Sequence, residues 1–238
     1  MARRKILVTG GTDGIGLELV RRLADRHDVI ATGRRPRGQV AASLPEDVIY
    51  LQADQSAPEE AAQAIVRGLL EHNQSRLDHA ILNAGTGYAV APQTETAEAI
   101  RRTLDVNVVS AIALAHALFP FLERAEGQLT FIGSVAARRG SSRFSSYAAS
   151  KAALDGLARA LGAEWRGTVR VQVLHPGPTR TAIHAKAGLE LGWIERFFLP
   201  PETMAAMLET AIQRGRSPET LSLRRYLAGG SMFGSRIQ

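Results

Sequence analysis

The stretch KILVTGGTDGIGLEL, residues 5–19, decides the fold. KILVT (5–9) is a short apolar run of the kind that forms a buried strand, and GIGLELVRRLADRH (14–27) repeats its apolar residues at helical spacing. Between them lie Gly10, Gly11, Thr12, Asp13 and Gly14, with Ile15 and Gly16 opening the helix. Glycines let a strand-to-helix turn close tightly and let the backbone approach a pyrophosphate, whose charge then sits on the helix N-terminus. The Gly10, Gly14, Gly16 spacing departs from G-x-G-x-x-G. A glycine-rich turn that holds no ligand therefore stays open on this stretch alone. Asp13 stands where a helix N-cap is expected.

Reading outward, short apolar runs alternate with longer amphipathic ones. Strands are expected at 28–32, 48–53, 79–84, 128–134, 170–177 and 220–227. Helices are expected at 58–72, at 94–123 with a break near Thr103, at 145–165 and at 201–215. The strands are apolar on both faces, the pattern of a parallel sheet covered by helices on both sides. The expectation is one α/β domain over residues 1–238, a doubly wound, Rossmann-type parallel sheet of about seven strands. Residues 178–200 form a long insertion of the lid type.

Composition narrows the function classes. The chain has 238 residues, 45% hydrophobic and 22% charged, as ordinary soluble domains have. With no cysteine it has no disulfide, thiolate metal site or thiol nucleophile, which suits a reducing cytoplasm. No metal ligand set is expected. The most apolar later stretch, AIALAHALFPFL (111–122), is broken by His116 and Pro120 and is too short for a membrane span. The net charge of +6 comes from scattered arginine pairs without a basic tract or an aromatic stacking segment. That argues against nucleic acid and for an anionic small molecule. Arg34 and Arg35 follow the second strand, whose end lies near the adenosine ribose in dinucleotide sites. Arginine there accommodates the 2′-phosphate of NADP, and an acid would favour NAD. NADP(H) is thus expected over NAD(H), with the Asp13 charge arguing mildly the other way.

Only three lysines stand against 26 arginines, and one of them, Lys151, lies four residues after Tyr147 in SSYAASKAAL (145–154). Residues four apart share a helix face. Ser134 follows the fifth strand, Asn107 interrupts an apolar helix, and LNAG (82–85) ends the fourth strand. T-G-x-x-x-G-I-G at 9–16, N-A-G at 83–85, Asn107, Ser134, Y-x-x-x-K at 147–151 and P-G at 176–177 together resemble the short-chain dehydrogenase/reductase family, over roughly residues 4–182. The resemblance implies an oxidoreductase that interconverts a carbonyl compound and its alcohol. It makes Tyr147 the acid/base, with Lys151 on the nicotinamide ribose lowering the tyrosine pKa. Ser134 would hold the substrate oxygen, and Asn107 a water in the proton relay. Asn83, Ala84 and Gly85 would line the cofactor cleft, Asp54 would meet the adenine, and Pro176, Gly177 and Thr179 would border the nicotinamide.

Elementary electrostatics agrees with the tyrosine assignment. A free phenol, with a pKa of about 10, is a poor base near neutrality, and a shift of about three units takes about 4 kcal/mol. A nearby cation favours the phenolate. Lysine offers a compact, flexible charge that the planar fork of arginine does not replace. His175 precedes Pro-Gly where asparagine is frequent in the family; it reads as a packed or loop histidine without a catalytic role.

Tyr88, Val135, Ala136, Ala137 and Phe144 are candidate substrate contacts. Trp193, Phe197 and Phe198 form either an apolar lid or a packing surface. A homodimer through helices 104–123 and 145–165 is expected, with a tetramer possible. The alternatives are a non-catalytic NADP(H)-binding regulatory or scaffold protein, and an isomerase or dehydratase on the same scaffold.

Overall fold

The computed structural model describes residues 2–138, 142–180 and 198–221. Trp193, Phe197 and most of the expected lid lie outside them. Strands β1 (Lys5–Val8), β2 (Asp28–Gly33), β3 (Ile49–Gln52), β4 (His79–Leu82), β5 (Gln128–Ile132), β6 (Arg170–Pro176) and β7 (Glu219–Leu221) form one sheet. Every neighbouring pair is parallel, in the order β3-β2-β1-β4-β5-β6-β7. The order reverses between β1 and β4, where strand ends splay and open α/β sheets bind ligands.

The helices are α1 (Gly14–Ala24), α2 (Arg37–Val40), α3 (Pro58–Glu71), α4 (Ala97–Leu104), α5 (Ser110–Glu123), α6 (Ser145–Glu164) and α7 (Pro201–Arg214). One core joins the sheet to α3, α5 and α6 through Ile65, Leu69, Leu114, Leu118, Leu154 and Leu161. The other joins it to α1 and α7 through Leu19, Val20, Leu23, Met204 and Leu208. Between α1 and α7 the buried carboxylate of Glu209 takes ion pairs from Arg22 and Arg26. Over Ala97–Glu123 the chain is long and apolar enough to cross a membrane by length and composition. Its α5 part packs against α3 and the sheet, as a core helix does.

Two expectations are corrected here. The break expected near Thr103 is a π-helical turn at Asp105–Val109, which carries Asn107 and leaves Thr103 inside α4. Asp13 has the extended backbone of an N-cap, yet its carboxylate makes no capping hydrogen bond. Gly14 follows with a φ of 50°, outside right-handed helical geometry, so the chain enters α1 by a turn that does not bring its amides to that carboxylate.

A polar ladder crosses the buried sheet. His79 Nε2 lies 2.8 Å from Thr130 Oγ1, and Gln128 Nε2 donates to Gln172 Oε1 at 3.0 Å. Gln172 Nε2 donates onward to Ala211 O at 3.0 Å and Arg216 O at 2.8 Å, tying down the end of α7. Burial, and after it the charges of Arg170 and Arg4, hold the His79 pKa down from 6.5 to about 3. The folded protein keeps this imidazole neutral, while the unfolded chain takes up a proton below about 6.5. Stability is therefore lost as the pH falls from about 6.5 towards 3, by about 1.4 kcal/mol per unit from this group. We expect urea midpoints to fall with pH in that window and His79→Gln to fall less steeply. Equal slopes for wild type and variant would contradict it.

Candidate active site

The glycine loop is built to let the backbone come close. A Cβ on Gly16 would lie 2.1 Å from Gly10 O, so only glycine fits there. Asn83 Nδ2 donates to Thr9 O at 3.1 Å and Gly10 O at 3.3 Å. In return Thr9 Oγ1 accepts from the amides of Asn83 at 3.0 Å and Ala84 at 3.1 Å. The N-A-G turn after β4 is thus pinned to the loop after β1. The α1 N-terminus has no acidic residue in its first turn and no side-chain cap bond. That cradle fits a pyrophosphate on a helix N-terminus.

Arg34 and Arg35 are exposed at the end of β2. The Arg35 guanidinium donates to Thr12 O at 2.9 Å and so lies against the glycine loop. Asp54 is exposed after β3, and its Oδ1 accepts from Ser56 N at 3.0 Å and Ser56 Oγ at 2.9 Å. Partial burial pushes its carboxyl up, but the Ser56 hydrogen bonds and the Arg34 and Arg102 charges outweigh that and hold it low.

The four residues expected to act together do converge at the C-terminal ends of β4, β5 and β6. The π turn swings Asn107 into the interior. Its Oδ1 accepts from Thr86 N at 2.8 Å, and its Nδ2 donates to Thr86 O and to Ser150 Oγ, both at 2.8 Å. Ser150 Oγ donates to Tyr147 O at 2.7 Å. Asn107 therefore couples the loop after β4 to α6, with both side-chain donors engaged inside the protein.

Lys151 is 3% exposed. Its Nζ donates to Ile132 O at 2.8 Å and lies 6.0 Å from the Tyr147 ring centroid. A Cβ on Gly85 would stand 3.1 Å from that Nζ, which brings the N-A-G turn against the amine. Burial holds the Lys151 pKa down at about 8.

Tyr147 is half-buried on the same face of α6, with the Phe144 ring edge-on at 5.9 Å. Burial pushes its phenol pKa up, and the Ser134 hydroxyl opposes that. The direction differs from the lowered value expected from Lys151, because removing a phenolate from water outweighs the neighbouring groups of the protein itself. Ser134 Oγ also accepts from Ala136 N at 3.2 Å, starting a 3-10 turn over Val135–Ala137. Val135, Ala136, Phe144 and Tyr88 are half-buried around this point. Pro176 ends β6, Gly177 follows buried, and Thr179 Oγ1 donates to Gly177 O at 3.0 Å.

Two residues without an assigned role also reach the site. His175 is fully buried, between Asp155 of α6 and the backbone of Ser134. The sequence signal was Asp155 four residues beyond Lys151, on the face that already carries Tyr147.

Residues 4–191 match the short chain dehydrogenase family. An uncharacterized oxidoreductase, YciK of Escherichia coli, is 35% identical over 196 residues, covering 77% of each chain. A short-chain dehydrogenase from Sphingobium yanoikuyae, solved in complex with NADPH, is 25% identical with a TM-score of 0.82, covering 99% of this chain and 98% of its own. A short-chain dehydrogenase from Shigella flexneri, solved with NADP, is 28% identical with a TM-score of 0.80, covering 93% and 97%. The chain belongs to the short-chain dehydrogenase/reductase family of oxidoreductases.

Tyr147 leans on backbone where a side chain would not fit. A Cβ on Gly87 would lie 2.6 Å from Tyr147 Cδ2 and 3.0 Å from its Cγ. Gly87→Ala should displace the ring and cut turnover by about tenfold to a hundredfold, as small misplacements of reacting groups do. Cofactor affinity, read by fluorescence titration, should stay at the wild-type value. Full turnover in this variant would show that the ring position is not critical.

Proposed function

We propose that the protein is an NADP(H)-preferring oxidoreductase that interconverts a carbonyl compound and its alcohol. The observation that carries this reading is the convergence of a phenol, a serine hydroxyl and a buried lysine next to a glycine-lined cradle at a helix N-terminus. A bound nicotinamide supplies a hydride to the carbonyl carbon, or takes one from the alcohol. Ser134 donates a hydrogen bond to the substrate oxygen. Tyr147 gives its proton to that oxygen as negative charge builds there, and the phenolate takes the proton back in the oxidative direction. Lys151 holds the nicotinamide ribose and stabilises the phenolate after transfer, while Asn107 keeps α6 and the N-A-G turn in register. Asn83, Ala84, Gly85, Pro176, Gly177 and Thr179 line the cofactor side. Val135, Ala136, Phe144 and Tyr88 line the substrate side, with Trp193 assigned to it from the sequence alone.

The cofactor preference rests on Arg34 and Arg35, and the NADPH and NADP complexes of the two similar structures support it. We also propose a homodimer through residues 104–123 and 145–165, which hold α5, the turn before it and α6. In support, Leu104 and Val109 are 38% and 37% exposed on an otherwise apolar helical run. Light scattering should then give twice the chain mass, and a monomer at micromolar concentration would contradict it.

A panel of carbonyl compounds with NADPH, followed by the absorbance of the reduced cofactor, tests the activity. Tyr147→Phe should keep the fold and cofactor affinity and lose turnover by orders of magnitude. Near wild-type turnover in that variant would overturn the acid/base assignment. Lys151→Met should lose both turnover and cofactor affinity; unchanged binding would remove Lys151 from the cofactor site.

For the cofactor, charge-assisted bonds to a 2′-phosphate contribute about 1.5–3 kcal/mol, roughly ten- to a hundredfold in affinity. Arg34→Ala should weaken NADPH and leave NADH little changed. Arg35→Ala should weaken both, since it also releases Thr12 O. Calorimetry with both cofactors decides this, and wild-type binding of NADH as tight as NADPH would contradict it.

A further inference from the structure

Ser134 is held from behind by a pair of side chains. His175, at the end of β6, is 0% exposed. Its Nε2 lies 2.8 Å from Asp155 Oδ1. Its Nδ1 accepts the Ser134 amide hydrogen at 3.2 Å and lies 3.0 Å from Ser134 O. The ring fits only because residue 133 is glycine: a Cβ on Gly133 would stand 2.5 Å from Nδ1.

The Nδ1 end alone does not select a tautomer: the Ser134 N–H, at 3.2 Å, calls for a lone pair there, while Ser134 O, at 3.0 Å, would accept a proton. The Asp155 carboxylate at Nε2 can only accept, and so decides it. The ring proton then sits on Nε2, where the Asp155 carboxylate accepts it. Asp155 lies on α6 four residues past Lys151 and eight past Tyr147, so one stripe of α6 bears all three. Through His175, that stripe fixes the spacing between α6 and the ends of β5 and β6.

We propose that Asp155 and His175 form a positioning pair that locks His175 as the Nε2–H tautomer and thereby sets the Ser134 backbone, aiming its hydroxyl at Tyr147 and the substrate oxygen. The proposal rests on the role of Ser134 given above. Neither residue touches the reacting atoms. Their effect is on orientation, to which turnover is steeply sensitive.

The test combines nitrogen NMR of the histidine-labelled protein, without substrate, with the kinetics of three variants. At mildly alkaline pH the wild-type His175 ring should carry its proton on Nε2 and none on Nδ1. A ring protonated on Nδ1, or on both nitrogens, overturns the proposal. Asp155→Ala should shift that signature and lower kcat by about tenfold to a hundredfold, with KM and NADPH affinity little changed. His175→Leu, which leaves the Ser134 amide without its acceptor, should lose as much. His175→Asn should recover most of the turnover, because its amide oxygen sits where Nδ1 does. Wild-type kcat in Asp155→Ala, or equal losses in the asparagine and leucine variants, would overturn it. A wild type with no activity towards any carbonyl compound would overturn the proposed function instead, and the tautomer signature would still test the pair by itself.

Discussion

A buried amine anchors the site. The Lys151 side chain crosses from α6 to the end of β5 and reaches one backbone carbonyl, Ile132 O, at 2.8 Å. An ammonium taken out of water is costly unless it is hydrogen-bonded, so this contact and the burial around it fix where α6 lies on the sheet. Tyr147, one turn earlier, is then carried to the ends of β4 and β5. Asp155, one turn later, is carried to β6. The three side chains share a face because α6 is a regular helix of 20 residues.

The opposite wall is set by backbone closeness rather than by charge. Gly16 against Gly10 O and Gly87 against the Tyr147 ring are places where a side chain would force its neighbour to shift, and Gly85 lies close against Lys151 Nζ. Asn83 and Thr9 lock the turns after β4 and β1 together, and Asn107 locks the turn after β4 to α6. The cleft between these turns is thus held by backbone and amide contacts.

Most of the sheet was legible in the sequence, and the structure brings Asn107, Ser134, Tyr147 and Lys151 to one end of it. The buried strands read as apolar runs and the glycine turn as a strand-to-helix spacing, while Tyr147 and Lys151 were picked out by the family resemblance and not by their spacing alone. What was not legible came from tertiary contacts. The π turn at Asp105–Val109 lies a few residues beyond the expected break, because Asn107 is drawn inward by Thr86 and Ser150, which are distant in sequence. The α2 helix, Arg37–Val40, is too short to show a period. Asp13 had the residue type and the extended backbone of an N-cap, but its carboxylate makes no capping hydrogen bond. The partnership of Asp155 and His175 depends on β5 and β6 being neighbours, which spacing alone does not state.

Electrostatically, burial disfavours both the phenolate of Tyr147 and the ammonium of Lys151. The protein alone thus keeps this phenol protonated, and in the proposed reading a cofactor carrying positive charge would bring it down towards use as a base. The direct measurement is an ultraviolet titration of wild type minus Tyr147→Phe, which isolates this one phenol. Without cofactor it should ionise above the ordinary phenol value, and with the oxidised cofactor bound it should ionise lower. A phenol that ionises near neutrality in the protein alone would contradict the account.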